Sequence, residues 1–198
     1  MTSLDLFAGP KYAADTSLGV EKAKEVIKRY GMVSDISDFL NDVFLLGKYN
    51  KNKKKNIVTY NKIKSTKFIE FVIKKNKTVK FIPLINLTKD KMVDTLKKSK
   101  IYLDFGTHPG KDRIPREAAI LGNCIIVNKK GSARNKFDIE IPYEFKFDEK
   151  YSDIKKINQK INEIFTNHDN EFKKFSYYVS KIKKEEKNFI NQVKFFFK

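Results

Sequence analysis

The sequence predicts an α/β domain built on a parallel sheet with helices on both faces. Three observations carry this. From about residue 56 onward, short β-rich apolar runs alternate with segments whose apolar residues recur at helical spacing. The connections between them are short, which gives parallel strands joined by right-handed crossovers. One run, Cys124-Ile125-Ile126-Val127, is continuously apolar and expects cover on both faces.

Taken in order, Asn56-Ile57-Val58-Thr59-Tyr60 is the first strand. Ser65 or Thr66 can cap a helix whose inward positions are Phe68, Ile69, Val72 and Ile73. Val79-Lys80-Phe81-Ile82 is the second strand, expected to stop at Pro83. Thr88 caps a helix with Met92, Val93 and Leu96 on one face, and Ile101–Phe105 is the third strand. Pro115 suits the first turn of a short helix and Gly122 its end. The apolar run from Cys124 is the fourth strand, and Phe145-Lys146-Phe147 reads as an edge-like fifth. Helices are expected over residues 152–165 and, with Phe172, Phe175, Val179, Ile182, Phe189, Ile190 and Val193 inward, over residues 170–194. This is a Rossmann-like order. Residues 1–47 read as a helical appendage, with one helix over 16–30 and a turn or two over 34–44. The Lys/Asn-rich stretch 48–55 reads as a solvated linker, and 56–198 as the Rossmann-like domain.

Composition sets the function classes. At 198 residues and 40% apolar content, with a mean hydropathy of −0.53, the chain can bury a core and is neither collagen-like nor disordered, and no uncharged apolar run approaches the length needed to span a bilayer. The start lacks the cationic region of a secretory signal, one cysteine excludes an internal disulfide, and two histidines make no zinc cluster. A soluble cytoplasmic protein is expected. The net charge of +18 favours polyanions, whether nucleic acid, an anionic membrane face or phosphorylated ligands. Yet only four of the 42 basic residues are Arg, and Arg is the usual reader of bases and phosphates. The lysines read as a solvated surface, and nucleic acid is the weaker partner class. The basic carboxyl-terminal helix, ending in three Phe, could touch an inner membrane face peripherally, although packing on the core is the commoner fate of such a stripe.

The scarce residues point elsewhere. Residues 104–134 hold three of the four Arg, four of the eight Gly, one of the two His and the only Cys. In an open parallel sheet, ligands sit outside the carboxyl ends of the strands. The segment 105–114 is such a connection, leading into a helix start whose free N–H groups and dipole favour an anion. Gly106 and Gly110 permit close backbone approach; His108, Lys111, Arg113 and Arg116 bring donors and charge; Glu117 can accept bonds from vicinal hydroxyls. The alternatives at this point are ordinary ones. Glu117 can simply complement the helix dipole, His108 can be a satisfied turn residue, and Arg113 and Arg116 can pair with Asp104 and Asp112. Cys124 reads as core. No close Asp pair suits a metal–diphosphate, so a metal-free site that needs no cofactor fits the residues better.

The stretch IYLDFGTHPGKDRIPREAAILGNCIIVNKKGSA resembles the carboxyl-terminal nucleotide-sugar domain of GT-B glycosyltransferases, closest to a bacterial group from surface-polysaccharide clusters with a DFG-x-HPGKDR-x-PREAA core. The resemblance covers about residues 57–148. It implies a single GT-B half, with a nucleotide diphosphate sugar as donor substrate. Lys111 and Arg113 would stabilise the leaving diphosphate, Glu117 would hold the ribose, and Gly106, His108, Gly110 and Arg116 would line the donor. Two departures stand out. Lys62 and Ser65 replace the Pro and Gly of the group's first loop, and Pro109 occupies the place of the family's first glutamate, eight residues before Glu117. Complete GT-B enzymes have two such domains. The resemblance therefore implies a truncated or split enzyme, completed by an acceptor-domain subunit or by self-association, with the glycine-basic loop open to water and no transfer by the isolated chain. A non-catalytic nucleotide-binding module and a basic nucleic-acid-binding protein are the other two readings.

Overall fold

A computed structural model describes residues 38–47, 49–108 and 110–196. The helix expected over 16–30 and the start of the one expected from residue 34 lie outside these residues.

The sheet has five strands, all parallel, in the order β2-β1-β3-β4-β5. They are β1 Lys55–Asn61, β2 Lys80–Leu84, β3 Ser99–Asp104, β4 Cys124–Asn128 and β5 Lys146–Phe147. The helices are α1 Asp42–Leu45, α2 Lys67–Lys75, α3 Lys89–Lys98, α4 Arg113–Ile120, α5 Ile154–Thr166, α6 His168–Lys173, α7 Ser176–Lys183 and α8 Glu185–Phe196. The α/β reading holds, Rossmann-like order included. The central strands β3 and β4 are buried at nearly every position, as strands covered on both faces are. Helix α1 packs on α3 and α4, while the Asn76 side chain at the end of α2 donates to Asn158 of α5 at 2.7 Å.

Several boundaries differ from the sequence reading. Strand β2 runs through Pro83, which pairs in register with Tyr60. An edge strand has one hydrogen-bonded neighbour, so a missing N–H on its outer side costs nothing. Thr66 occupies the cap position of α2 without a side-chain bond, whereas Thr88 Oγ1 accepts from the Lys91 N–H. Gly122 ends α4 with φ of +85°, a conformation that favours glycine. The long helix expected over 170–194 is three helices. Phe175 turns inward at the first break to meet Phe145 edge-on at 4.7 Å, and Glu185 begins the last helix.

The expected linker is also more than solvated chain. Residues Lys51–Lys53 form a 3-10 turn and Lys55 opens β1. Between them the Lys54 ammonium reaches under the sheet and donates to the carbonyls of Leu96, Ser99 and Leu121 at 2.7–3.0 Å. Among the described residues no helix is long and apolar enough to cross a membrane.

Candidate functional site

Strand order fixes where a ligand would lie. From β1 the chain moves outward to β2, and from β3 it moves the other way to β4, so β1 and β3 flank the topological switch point. Two loops meet there at the carboxyl ends: residues 62–66 after β1 and 105–112 after β3.

The loops touch closely. A Cβ added to Gly106 would lie 2.6 Å from Lys64 Cβ and 2.9 Å from its carbonyl oxygen. The Asn61 side chain shapes the first loop by accepting from the N–H groups of Ile63 and Lys64. Lys64 then extends across the junction, donating to both carboxylate oxygens of Asp112 at 3.0 and 3.1 Å. On the other side the β4 exit stitches the second loop down. Asn128 donates to the Gly106 carbonyl, the Ser132 N–H to that of His108, and the Ser132 hydroxyl to that of Gly110.

A buried polar chain runs through this loop. The Tyr102 hydroxyl donates to Asp104 Oδ2 at 2.5 Å, and Asp104 Oδ1 accepts from the Gly106 N–H. His108 Nε2 lies 4.0 Å from Asp104 Oδ1 with no hydrogen-bond partner, and Nδ1 lies 2.7 Å from Asp112 Oδ2. Burial pushes the Asp112 carboxyl up, but the bonds from His108 and Lys64 outweigh it and hold it below the ordinary carboxylate value. Asp104, His108 and Asp112 bring one ligand atom each within 4.8 Å of the others. The Lys64 ammonium already sits on Asp112, and both oxygens of Asp104 already accept bonds, so the trio fits an internal charge relay better than a cation site.

The remaining basic residues are not free for a ligand. Lys111 Nζ lies 2.5 Å from Glu185 Oε1, and Arg116 Nη1 donates to Glu185 Oε2 at 2.8 Å. Arg116 Nη2 donates to Asp38 Oδ2 at 2.8 Å, and its Nε to the Asp112 carbonyl. Burial lowers the Lys111 ammonium below its usual value, against the pull of Glu185. It acts the same way on Arg116, but there Glu185 and Asp38 prevail and raise it. Arg113 is 70% exposed in its side chain and pairs with the buried Glu117 at 3.0 Å. Burial, offset in part by Arg113, Arg116 and Lys89, raises the Glu117 carboxyl above its ordinary value.

These contacts correct the expectation of an open basic loop. Gly106, His108, Gly110, Arg116 and Glu117 are buried and Lys111 is half-buried; of the expected site residues, Arg113 alone is well exposed. The anticipated pairings of Arg113 and Arg116 with Asp104 and Asp112 are replaced by pairings with Glu117 and with Glu185 and Asp38. In a chain of net charge +18, this junction matches the cations Lys64, Lys111, Arg113 and Arg116 against the carboxylates of Asp104, Asp112, Glu117, Glu185 and Asp38. Two surface hollows lie away from this junction. One of about 740 Å³ runs along α5 past Asn158, Asn162 and Glu171, and one of about 410 Å³ lies beside β5 at Lys129, Tyr143 and Asp148.

The sequence reading passed over Lys64, Asp38 and Glu185, and named Asp112 only as a pairing partner for the nearby arginines. Lys64 had a local signal in the Asn61 turn that precedes it. Asp38 and Glu185 are 78 and 69 residues from Arg116, and nothing local marks them. No family model, curated protein or solved structure matches the chain.

Proposed function

We propose that this chain is the donor-binding domain of a GT-B-type glycosyltransferase, taking a nucleotide diphosphate sugar for surface-glycan synthesis and acting with a separate acceptor-binding domain. The observation that supports this most is the position of the DFGTHPGKDRIPREAA segment. It forms the β3–α4 connection at the switch point of a parallel sheet, against a second loop that carries Lys64. In this reading Lys64, Lys111 and Arg113 offset the charge of the leaving diphosphate, Glu117 holds the ribose, and His108 anchors the loop from within. The exposed Ile63, Ile85 and Leu87 form an apolar rim at the carboxyl ends of β1 and β2, suited to a flat ring or to an acceptor domain.

Calorimetry with UDP, GDP and the free nucleosides tests the proposal. Nucleotide should bind, and Glu117→Ala should weaken nucleotide and nucleoside alike by about 1.5–3 kcal/mol, the worth of a hydrogen bond to a charged group. Equal binding by the variant would leave Glu117 as a structural partner of Arg113. A second reading, a non-catalytic nucleotide module, is favoured by one observation: Lys111 and Arg116 already hold carboxylates of the same chain. Sugar transfer after an acceptor domain is supplied separates the two. A nucleic-acid-binding protein would instead show affinity that falls steeply with salt and survives loss of Arg113.

A further inference from the structure

Helix α8 is held to the domain by a charge. Among its residues 185–194 only Glu185 is buried, at 5% exposure, and both its oxygens are spent on Lys111 and Arg116. Its apolar residues add little: Phe189 meets Phe39 at 5.1 Å, both away from the main core, and Ile190 is 43% exposed. A helix docked by one buried ion pair and few apolar contacts belongs to the easily opened part of a structure. Lys184 separates α7 from α8, so α8 can swing without disturbing Tyr178 and Ile182, which tie α7 to the core.

We propose that the Glu185 carboxylate is an internal stand-in for the anion at this site, and that α8 is a latch which an incoming diphosphate displaces. The proposal rests on the donor-binding reading above. A carboxylate bridging a lysine and an arginine offers two oxygens to their donors, as a phosphoryl group would. While it is seated, Lys111 and Arg116 are neutralised by Glu185 and Asp38, and a diphosphate would meet no surplus positive charge. Once it leaves, Lys111 is released toward the ligand, while Arg116 stays anchored by Asp38 and the Asp112 carbonyl. Closing and opening of the carboxyl-terminal helix thus sets the affinity for the donor, and a partner domain that captures α8 would switch the site on.

The test uses the full chain, with UDP and inorganic pyrophosphate as probes. Calorimetry compares wild type with Glu185→Gln, and hydrogen exchange follows the amides of residues 185–196 with and without each probe. The latch predicts at least about tenfold tighter binding by the Gln variant, corresponding to one charge-assisted interaction no longer displaced. It also predicts faster exchange in α8 when the wild type is loaded. If wild type binds UDP, the Gln variant binds it no tighter and α8 exchange does not change, the latch is overturned and the donor reading stands. If neither folded protein binds either probe, both fail. Should Glu185→Gln not fold, the exchange arm on wild type decides: faster α8 exchange with bound pyrophosphate supports the latch, and unchanged or slower exchange overturns it.

Discussion

Gly106 and Lys64 belong to loops 42 residues apart in sequence, yet a single added methyl group on Gly106 would come within 2.6 Å of Lys64 Cβ. This contact joins the β1 and β3 exits and sets the distance between Lys64 and Asp112. Gly106→Ala must push the loops apart, because the nearest atoms include the Lys64 backbone oxygen. Overpacking of this kind costs about 1–3 kcal/mol. Urea denaturation should show that loss, and nucleotide affinity should fall with it as Lys64 moves. An unchanged midpoint would mean the loops give way freely.

Gly131 is held more rigidly. Its φ is +53°, and a Cβ there would lie 2.3 Å from the His108 carbonyl oxygen, which already accepts from Ser132. Gly131→Ala should therefore be at least as damaging as Gly106→Ala, since positive φ adds strain to a backbone collision. Thermal unfolding of the two variants side by side checks the order.

Arg113 and Arg116 stand three residues apart and should behave oppositely. Arg116 is fully buried between Glu185 and Asp38, so Arg116→Ala leaves the Glu185 carboxylate in the interior with only Lys111. Breaking a buried pair from one side costs about 3–5 kcal/mol. Arg113 reaches its buried partner Glu117 from the surface, where water screens the pair and can take the place of the guanidinium, so its loss should cost less than that of Arg116. Arg113→Ala should then lower stability less than Arg116→Ala while altering ligand affinity. If denaturation shows the two variants equally stable, the buried ion cluster does not hold this region together.

The sheet was legible because β3 and β4 carry the apolar runs Ile101–Leu103 and Cys124–Val127, and the helices because their caps and stripes are local. The three-way break of residues 168–196 was not, since it follows from Phe175 packing on Phe145 in a distant element. The loop 105–112 stood out by its rare residues, and its place at the sheet edge follows from strand order. Its electrostatic state could not be read, because the carboxylates that neutralise Lys111 and Arg116 come from opposite ends of the described chain. The lysines mislead for a related reason: in a chain with 38 of them, composition cannot single out one that is internal.

Lys146 is such a residue. It lies in β5, and its ammonium donates to the carbonyls of Ala133, Asn135 and Ile139 at 2.7–2.9 Å, closing the loop after β4. Burial pushes its ammonium down to about 8. Lys146→Met keeps the length of the side chain and strands three carbonyls, at a cost of at least about 2 kcal/mol. The same substitution at exposed Lys155 should cost under about 0.5 kcal/mol, as surface changes do. Chemical denaturation of the two variants compares them directly, and equal midpoints would show that water replaces the ammonium without penalty.

His168 gives the fold a pH dependence of definite sign. The residue is 6% exposed, its ring stacks on Phe172, and Nε2 lies 3.1 Å from the Gly122 carbonyl, which it meets as an N–H donor. Burial, with the charges of Lys54 and Lys100 nearby, pushes it down from 6.5 to about 4. The folded value lies below the unfolded one, so between these limits the unfolded chain binds more protons. Stability is therefore complete above about pH 6.5 and is lost as pH falls toward 4, by up to about 3 kcal/mol from this group. His168→Gln keeps a donor for the Gly122 carbonyl but cannot titrate. Its denaturation midpoint should be flatter than that of wild type from pH 6.5 to 4.5. Parallel pH profiles for the two proteins would show that His168 protonates in the fold as easily as in the unfolded chain.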